Sequence, residues 1–190
     1  MPRPSSRDRL ASEALTLFEQ HGYDNVTMAM IAEAAGVTER TAYRNYRNKL
    51  DVLMADFEQR TLEFQGLLYR QPLDLGVVDA VAKTARDGYF GAEELLALDL
   101  RRARIMMQVT ELGAAWAEYE HEIEVQLGEW IAHRMNRSPF DTGVRVLAGA
   151  LVVARRVAIQ NWSLDPSRPL VDYSDEALAY VKEWEVGVST

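Results

Sequence analysis

Residues 27–49 decide the fold, and they read TMAMIAEAAGVTERTAYRNYRNK. Apolar residues recur at helical spacing in the first part, which predicts a short helix over 27–35. Gly36 ends that helix, because a glycine just past the last periodic residue takes the left-handed cap conformation at little steric cost. Thr38 can cap a second helix over 38–46. Two short helices joined by a glycine-containing turn predict a helix-turn-helix.

The second predicted helix and the residues that follow it are basic and polar. Arg40, Arg44, Arg47 and Lys49 are accompanied by a single acid, Glu39. Together with interleaved hydroxyl, amide and phenol groups, these side chains can donate to phosphate oxygens and base edges. A solvated basic helix face is the alternative, and an isolated charge cluster would favour it. Here the charges follow a helix-turn-helix pattern, which predicts DNA binding.

The wider stretch TMAMIAEAAGVTERTAYRNYRNKLDVL, residues 27–53, resembles the TetR (tetracycline-repressor-like) family of bacterial transcriptional regulators. The resemblance rests on the glycine-valine turn, the T-x-Y-x-x-Y core of the second helix and the N-K pair that opens the next one, and it extends over residues 7–53. It implies a homodimer with an N-terminal DNA-binding domain and an all-helical C-terminal half that binds a small molecule and dimerises. Ala42 and the pair Asn45-Tyr46 depart from the commoner pattern of the family. These departures affect which DNA sequence is recognised and leave the predicted fold unchanged.

The resemblance also implies roles for individual side chains. Phosphate contacts would come from Thr27, Tyr43 and Lys49, and the part of the helix in the major groove would carry Thr38, Glu39, Arg40 and Thr41. Arg40 and Arg44 can read guanine or bind phosphate, while Tyr46 can equally be a core residue. The predicted DNA-binding residues are therefore Thr27, Thr38, Glu39, Arg40, Thr41, Tyr43, Arg44, Asn45 and Lys49.

Charge is unevenly distributed along the chain. The net charge is −8, yet residues 1–50 hold 7 Lys/Arg and 6 Asp/Glu, which gives +1, and residues 51–190 hold 14 and 23, which gives −9. The excess acid lies in the part predicted to face away from DNA, which disfavours indiscriminate binding. We therefore divide the chain into a DNA-binding domain over 1–50 and a ligand-binding and dimerisation domain over 51–190.

Several function classes find no support in the residues. Cysteine is absent, which removes disulfides and thiolate metal sites and fits a reducing cytoplasm. The histidines at 21, 121 and 133 give no metal-ligand set, and no nucleophile motif or phosphate-binding glycine loop occurs. The longest apolar run, 146–154, is too short to cross a bilayer. We therefore expect a cytoplasmic protein that is not an enzyme, binds no metal and does not enter a membrane.

Apolar periodicity and Gly/Pro breaks predict an all-α fold of about nine helices. Three belong to the helix-turn-helix domain, over 7–21, 27–35 and 38–46. The other six lie over about 48–69, 75–90, 92–112, 114–135, 138–162 and 174–186. The helix over 48–69 is predicted to be continuous, so that it could carry a displacement between the two domains.

The C-terminal domain is predicted to bind a small, largely apolar effector. Met and aromatic side chains could line a cavity for it, although such residues more often fill a core. The candidates are Met54, Phe57, Met106, Met107, Trp116, Tyr119 and Trp130. A loose similarity of residues 101–162 to actinobacterial members of the family adds an acyl-CoA-like compound to the possible effectors.

The last two long helices carry surplus apolar surface. The helix over 138–162 is apolar nearly all round, so it must be buried on two sides. This pattern predicts that both helices pair with their copies in a four-helix dimer interface. The interface candidates are Val146, Gly149, Ala150, Val153, Val157, Tyr180, Val181 and Trp184.

Taken together, the sequence predicts a homodimeric repressor that binds a palindromic double-stranded DNA operator and is released by an effector. Two alternatives stay open. One is a helical ligand carrier or enzyme that kept the three-helix domain without DNA function. The other is an activator or architectural protein without an effector.

Overall fold

The computed structural model describes residues 4–55, 57–89 and 93–188, with the side chains of 57–59, 89, 93–95, 111 and 184–188 left out of the description. Every regular element in the described residues is helical, which confirms the predicted all-α fold. The α-helices are α1 Ser6–His21, α2 Met28–Ala34, α3 Glu39–Asn45, α4 Lys49–Leu53, α5 Phe57–Leu68, α6 Val77–Thr84, α7 Glu93–Gln108, α8 Gly113–Met135, α9 Thr142–Leu164 and α10 Leu170–Val188. A π-helical segment, Ala85–Tyr89, follows α6, and a 3-10 turn, Thr110–Leu112, precedes α8.

Contacts divide the chain into two compact units, residues 1–59 and 60–190. In the first unit, α1 opens with a capping box in which Ser5 Oγ accepts from Asp8 N at 3.1 Å and the Asp8 carboxylate accepts from Ser5 N at 2.9 Å. The unit includes α4, which packs on α1, so it extends beyond the predicted limit at residue 50. Its largest fully buried side chains are Leu10, Leu15, Val26, Ile31, Val52 and Leu53.

The turn between α2 and α3 has the geometry that the sequence predicts. Gly36 follows α2 with a φ of +64°, the left-handed region that glycine adopts at little cost. Val37 N then donates to Ala32 O, five residues earlier, at 3.0 Å. This hydrogen bond is typical of a helix that ends with a left-handed glycine. This turn sets the direction in which α3 leaves α2.

The predicted continuous helix over 48–69 is wrong, since the structure contains two helices there. Met54 adopts φ −84° and ψ 6°, outside the α-helical region, and Ala55 N donates to Val52 O at 3.2 Å in a tightened 3-10 bond. The split raises the number of α-helices among the described residues to ten, from about nine predicted. It also removes the single rigid helix through which we expected a displacement to pass.

The second unit is built around α6, α8, α9 and α10. Their apolar faces form one cluster of buried side chains, whose most buried members include Val78, Ile131, Val144, Leu147 and Leu151. A smaller cluster joins Ala158 and Trp162 of α9 to Leu170 and Tyr173 of α10. None of the helices in the described residues is both long and apolar enough to cross a membrane.

Two helix starts in this unit differ from the prediction. α9 begins at Thr142 rather than at residue 138 as predicted, and Asp141 caps it, since the Asp141 carboxylate accepts from Gly143 N and Val144 N at 2.9 and 3.2 Å. The Ser138 hydroxyl instead accepts from Phe140 N in the preceding turn. α10 begins at Leu170, directly after a proline, and so is one turn longer at this end than periodicity predicts.

Candidate functional site

α3 is the candidate DNA-reading helix, and the hydroxyl groups of two threonines form hydrogen bonds at its first turn. Thr38 Oγ1 accepts from Thr41 N at 3.2 Å, and the two threonine hydroxyl oxygens lie 3.0 Å apart. Ala42 is fully buried, so its side of α3 is the one that packs on the unit. Because helical residues two positions apart point in nearly opposite directions, Arg40 and Arg44 lie on the far side.

Four side chains of α3 are accessible. Glu39, Arg40 and Arg44 are exposed, and 54% of the Tyr43 side chain is accessible to solvent. In the part of the chain that the structure describes, neither Arg40 nor Arg44 has an ion-pair or hydrogen-bond partner for its guanidinium group. Both groups are therefore available for the bidentate contacts that arginine makes with phosphate or guanine.

The C-terminal end of α3 is held against α1 by hydrogen bonds and a cation-π contact. Tyr46 is 4% exposed, and its hydroxyl donates to Arg7 O at 3.3 Å, while the Arg7 guanidinium lies 4.7 Å above the Tyr46 ring. Arg7 Nη1 also donates to Asn45 O at 3.4 Å, and Asn45 Nδ2 donates to Thr41 O at 2.8 Å. Tyr46 is therefore a core residue, the second of the two roles considered for it.

Lys49, predicted to contact phosphate, makes internal bonds. Its Nζ donates to Tyr23 O at 2.6 Å and Asp24 O at 3.4 Å and lies 4.2 Å from the centre of the Tyr23 ring. Burial of the phenol, with smaller contributions from Asp24 and Asp51, raises the pKa of Tyr23 above its usual value. An ammonium has three N–H donors, so these two bonds leave one for a phosphate. Sequence reasoning missed the structural role because the partner carbonyls are 25 and 26 residues away.

Thr27, the other predicted phosphate contact outside α3, caps α2. Its Oγ1 accepts from Met30 N at 3.3 Å, and the residue is exposed. The cap uses the hydroxyl as an acceptor, so its hydrogen can still be donated to a phosphate oxygen.

The interface candidates are divided between exposed and buried positions. Val146, Val153 and Val157 are exposed on one side of α9, and Gly149 and Ala150 between them are half-buried. On α10, Tyr180 is exposed. Val181 is 5% exposed and belongs to the main cluster of the unit, so its assignment to an interface is corrected. The side chain of Trp184 lies outside the described residues.

The second unit encloses a cavity of about 110 Å³. Its wall is mostly carbon and comes from α5, α6, α8, α9, α10 and the first residue of the π-helical segment. The side chains recur at i, i+4 spacing, as expected for one face of each helix. Examples are Tyr119, Ile123 and Leu127 on α8, and Leu151, Arg155 and Ile159 on α9.

Tyr119 lines this cavity, whereas Trp116 and four other effector candidates lie elsewhere. Met54 ends α4 in the first unit. Met106 and Met107 lie on α7, where Met107 is exposed and its sulfur accepts from Ser163 Oγ at 2.9 Å. Trp130 is buried in the main cluster, with the Arg134 guanidinium 5.4 Å from its ring centre.

Trp116 lies one turn before Tyr119, and the two ring centres are 5.4 Å apart. Trp116 is not among the residues that line the cavity. Nε1 of its indole donates to Glu120 Oε1 at 3.0 Å. The side chain of Phe57 lies outside the described residues.

Apart from Tyr119, the polar side chains in the wall were missed by sequence reasoning. The Arg155 guanidinium carbon lies 5.6 Å from the ring centres of both Trp116 and Tyr119. The Tyr119 hydroxyl lies 2.9 Å from Thr61 Oγ1, and Arg60 forms an ion pair with Asp99 of α7. A signal for Arg155 existed in the sequence, because it stands four residues after Leu151 on an otherwise apolar helix face.

No group of three or more His, Asp or Glu side chains capable of holding a metal ion occurs in the described part of the chain. The features available for binding are therefore the accessible face of α3, the apolar side of α9 and the cavity.

Comparison with known proteins identifies the family. Residues 10–55 match the model of bacterial regulatory proteins of the tetR family, and residues 75–184, more than half of the chain, match that of the MftR C-terminal domain. MftR of Mycobacterium tuberculosis (strain ATCC 25618 / H37Rv), assigned as a transcriptional regulator of mycofactocin biosynthesis, is 27% identical over 90% of this chain and 86% of its own. The HTH-type transcriptional regulator TcmR of Streptomyces glaucescens is 28% identical over 84% and 74%.

Among solved structures, the fold is similar to that of FadR from Thermus thermophilus, a TetR-family transcriptional repressor crystallised with lauroyl-CoA. The TM-score is 0.63 at 19% identity, with 93% of each chain covered. The helix-turn-helix, the helical second unit and the two family matches lead to one assignment: the chain belongs to the tetR family of bacterial transcriptional regulators, with a C-terminal domain of the MftR type.

Proposed function

We propose that the protein is a homodimeric repressor that inserts α3 of each copy into the major groove of a palindromic operator. The observation that carries the proposal is the accessible face of α3, where Arg40 and Arg44 lie opposite buried Ala42. The net charge of +1 in residues 1–50, against −9 in the remainder, directs DNA toward this end of the chain.

Two copies are needed for useful specificity. α3 has seven residues, so one copy offers few base contacts. Two copies on a palindrome double them, with half-sites about 34–36 Å apart or a multiple of that distance. The proposed interface is the exposed side of α9, where valines recur at helical spacing, joined by Tyr180 of α10.

The effector we propose is a small, largely apolar compound that binds in the cavity. The mostly carbon wall favours such a compound, and Tyr119 is the effector candidate that contributes to the wall. The lauroyl-CoA held by the T. thermophilus relative also contains an apolar chain, which keeps an acyl-CoA-like effector among the options.

Repression would end because the effector binds better to a dimer whose two α3 helices no longer match successive grooves. A ligand shifts a conformational equilibrium only by its differential affinity for the two states. A difference of about 1–3 kcal/mol changes operator affinity by about 5–150-fold.

The test is a fluorescence-anisotropy titration of labelled inverted-repeat DNA from the region upstream of the coding frame, with random duplex as competitor. Arg40→Ala should weaken binding by about 1–3 kcal/mol and relax the preference at one base position. Arg70→Ala, which removes the same charge from an exposed position in the second unit, is the matched control and should bind as wild type does.

Each alternative predicts a different result. A carrier or enzyme without DNA function would show no preference for any duplex over the competitor, and this result would refute the proposal. An activator or architectural protein would bind the duplex, but a thermal-shift screen of apolar compounds would find no ligand. Arg40→Ala losses of equal size on all sequences would assign Arg40 to phosphate contact.

A further inference from the structure

Arg155 differs from Arg60, the other arginine in the cavity wall, because no described carboxylate pairs with its charge. Its Nη1 atom is buried and donates to no acceptor among the described residues. No carboxylate of the described chain lies within ion-pair distance of it. The guanidinium is held by aromatic faces instead, at 5.6 Å from the ring centres of Trp116 and Tyr119.

Two other arginines near Arg155 do form ion pairs with carboxylates. Arg156, the next residue, has an ion pair with Glu120 at 2.9 Å, and Arg60 in the cavity wall is paired with Asp99. Both of these cations therefore have a carboxylate partner within the fold. Arg155 as a whole is half-buried, and withdrawing a cation partly from water without a counter-ion is costly, so a partner supplied by a ligand would gain more here than at an exposed arginine.

The rest of the wall defines the shape of such a ligand. Beyond the polar end formed by Arg155, Tyr119 and Thr61, the wall continues with apolar side chains that include Phe64 and Leu178. A cavity of about 110 Å³ is several times larger than the space that one water molecule needs. It can thus take a chain of several carbons alongside a polar head.

We propose that the effector is an apolar monocarboxylate, with its carboxylate bound by the Arg155 guanidinium group and its hydrocarbon part in the cavity. Arginine suits this role because its planar donor groups match the two oxygens of a carboxylate. The inference rests on the proposed function only in treating the cavity as the effector site. It narrows the effector class from small, largely apolar compounds in general to those that carry a free carboxylate.

The test is isothermal titration calorimetry on the full chain with four probes: octanoate, its neutral isostere octanamide, the cation octylamine and octanoyl-CoA. Wild type should bind octanoate about tenfold or more tightly than octanamide, because a charge-assisted bond in a water-poor site replaces a neutral one. Octylamine should bind more weakly still. The proposal is overturned if octanamide or octanoyl-CoA binds as tightly as octanoate, or if octanoate does not bind.

Variants then assign the preference to one side chain. Arg155→Gln should lower octanoate affinity about tenfold or more and leave octanamide affinity within about twofold, whereas Arg156→Gln, the matched control outside the wall, should keep the wild-type preference. An octanoate preference that survives in a folded Arg155→Gln protein would overturn the proposal. If that variant does not fold by circular dichroism, Arg155→Lys decides, since it should retain a reduced preference for octanoate over octanamide.

A release assay separates this inference from the proposed function. If octanoate binds through Arg155 while the protein stays on its operator duplex, the carboxylate site stands and the effector role in repression fails. If octanoate does not bind and another apolar compound releases the duplex, the proposed function stands and the carboxylate inference fails.

Discussion

Replacing Lys49 with methionine tests a side chain that has both an internal and a proposed external role. The change removes the bonds from Nζ to the carbonyl oxygens of Tyr23 and Asp24, together with the cation-π contact 4.2 Å above the Tyr23 ring. The methionine keeps a similar apolar stem, so the loss of the charge is the main effect. Arg47→Met provides the matched control, because Arg47 is an exposed cation two residues earlier.

The magnitude follows from the geometry. A hydrogen bond to a charged group contributes about 1.5–3 kcal/mol and an accessible cation-π contact about 0.5–1 kcal/mol. Lys49 is half-buried, so the freed carbonyls can be rehydrated and the net loss is smaller than the sum. We expect Lys49→Met to lower the free energy of unfolding of the first unit by about 1–2 kcal/mol.

Two measurements separate the roles. Urea unfolding followed by circular dichroism should show the loss for Lys49→Met and none for Arg47→Met. If Lys49 also contacts a phosphate, the slope of log affinity against log salt concentration should fall by about 0.9. Unchanged stability would refute the internal bonds as stabilising contacts, and weaker DNA binding with an unchanged salt slope would refute the phosphate contact.

Two further predictions concern assembly and acid stability. If the protein forms the proposed dimer, Val153→Glu should convert it to monomer in sedimentation velocity, whereas Val125→Glu on α8 should not. The two valines are similarly exposed (46% and 48%), and Val125 is outside the proposed interface. A dimeric Val153→Glu protein would refute the interface. Hydrogen bonds from Ser167 lower the pKa of Asp165, so this carboxylate stabilises the fold above its unfolded-state pKa, and the contribution is lost as pH falls through the lower folded-state value. Ser167→Ala should therefore unfold at milder acid pH than wild type, and an unchanged acid-unfolding midpoint would contradict this reasoning.

The helix-turn-helix could be predicted in detail because its signals are local. Thr27, Gly36 and Thr38 act on backbone groups within about four residues of themselves, and the structure gives each the cap or turn that its residue type favours. The expectation of a regulator with this domain is confirmed by the family, and two curated relatives are transcriptional regulators. The helix break at Met54 has no glycine or proline to mark it, which is why periodicity alone extended the helix.

The effector candidates show that residue type alone does not predict which side chains line a cavity. Met and aromatic residues fill a core, a surface or a cavity wall equally well, and only the packing of helices distinguishes the positions of Trp130, Met107 and Tyr119. The same holds for the interface, because Val181 and Tyr180 are adjacent in sequence but point to opposite environments. Which side of α10 faces the core depends on how this helix packs against α6 and α9.

The sequence by itself determined the helical class, the helix-turn-helix, the family and the basic character of α3, since each follows from backbone capping, a 3.6-residue period or charge within a short segment. The tertiary structure decided that Lys49 binds the carbonyls of Tyr23 and Asp24 and that Val181 lies in the core. It also places Arg155 in the cavity wall, where none of the described carboxylates pairs with it. Those outcomes depend on groups far apart in the chain, and only helix packing fixes the distances between them.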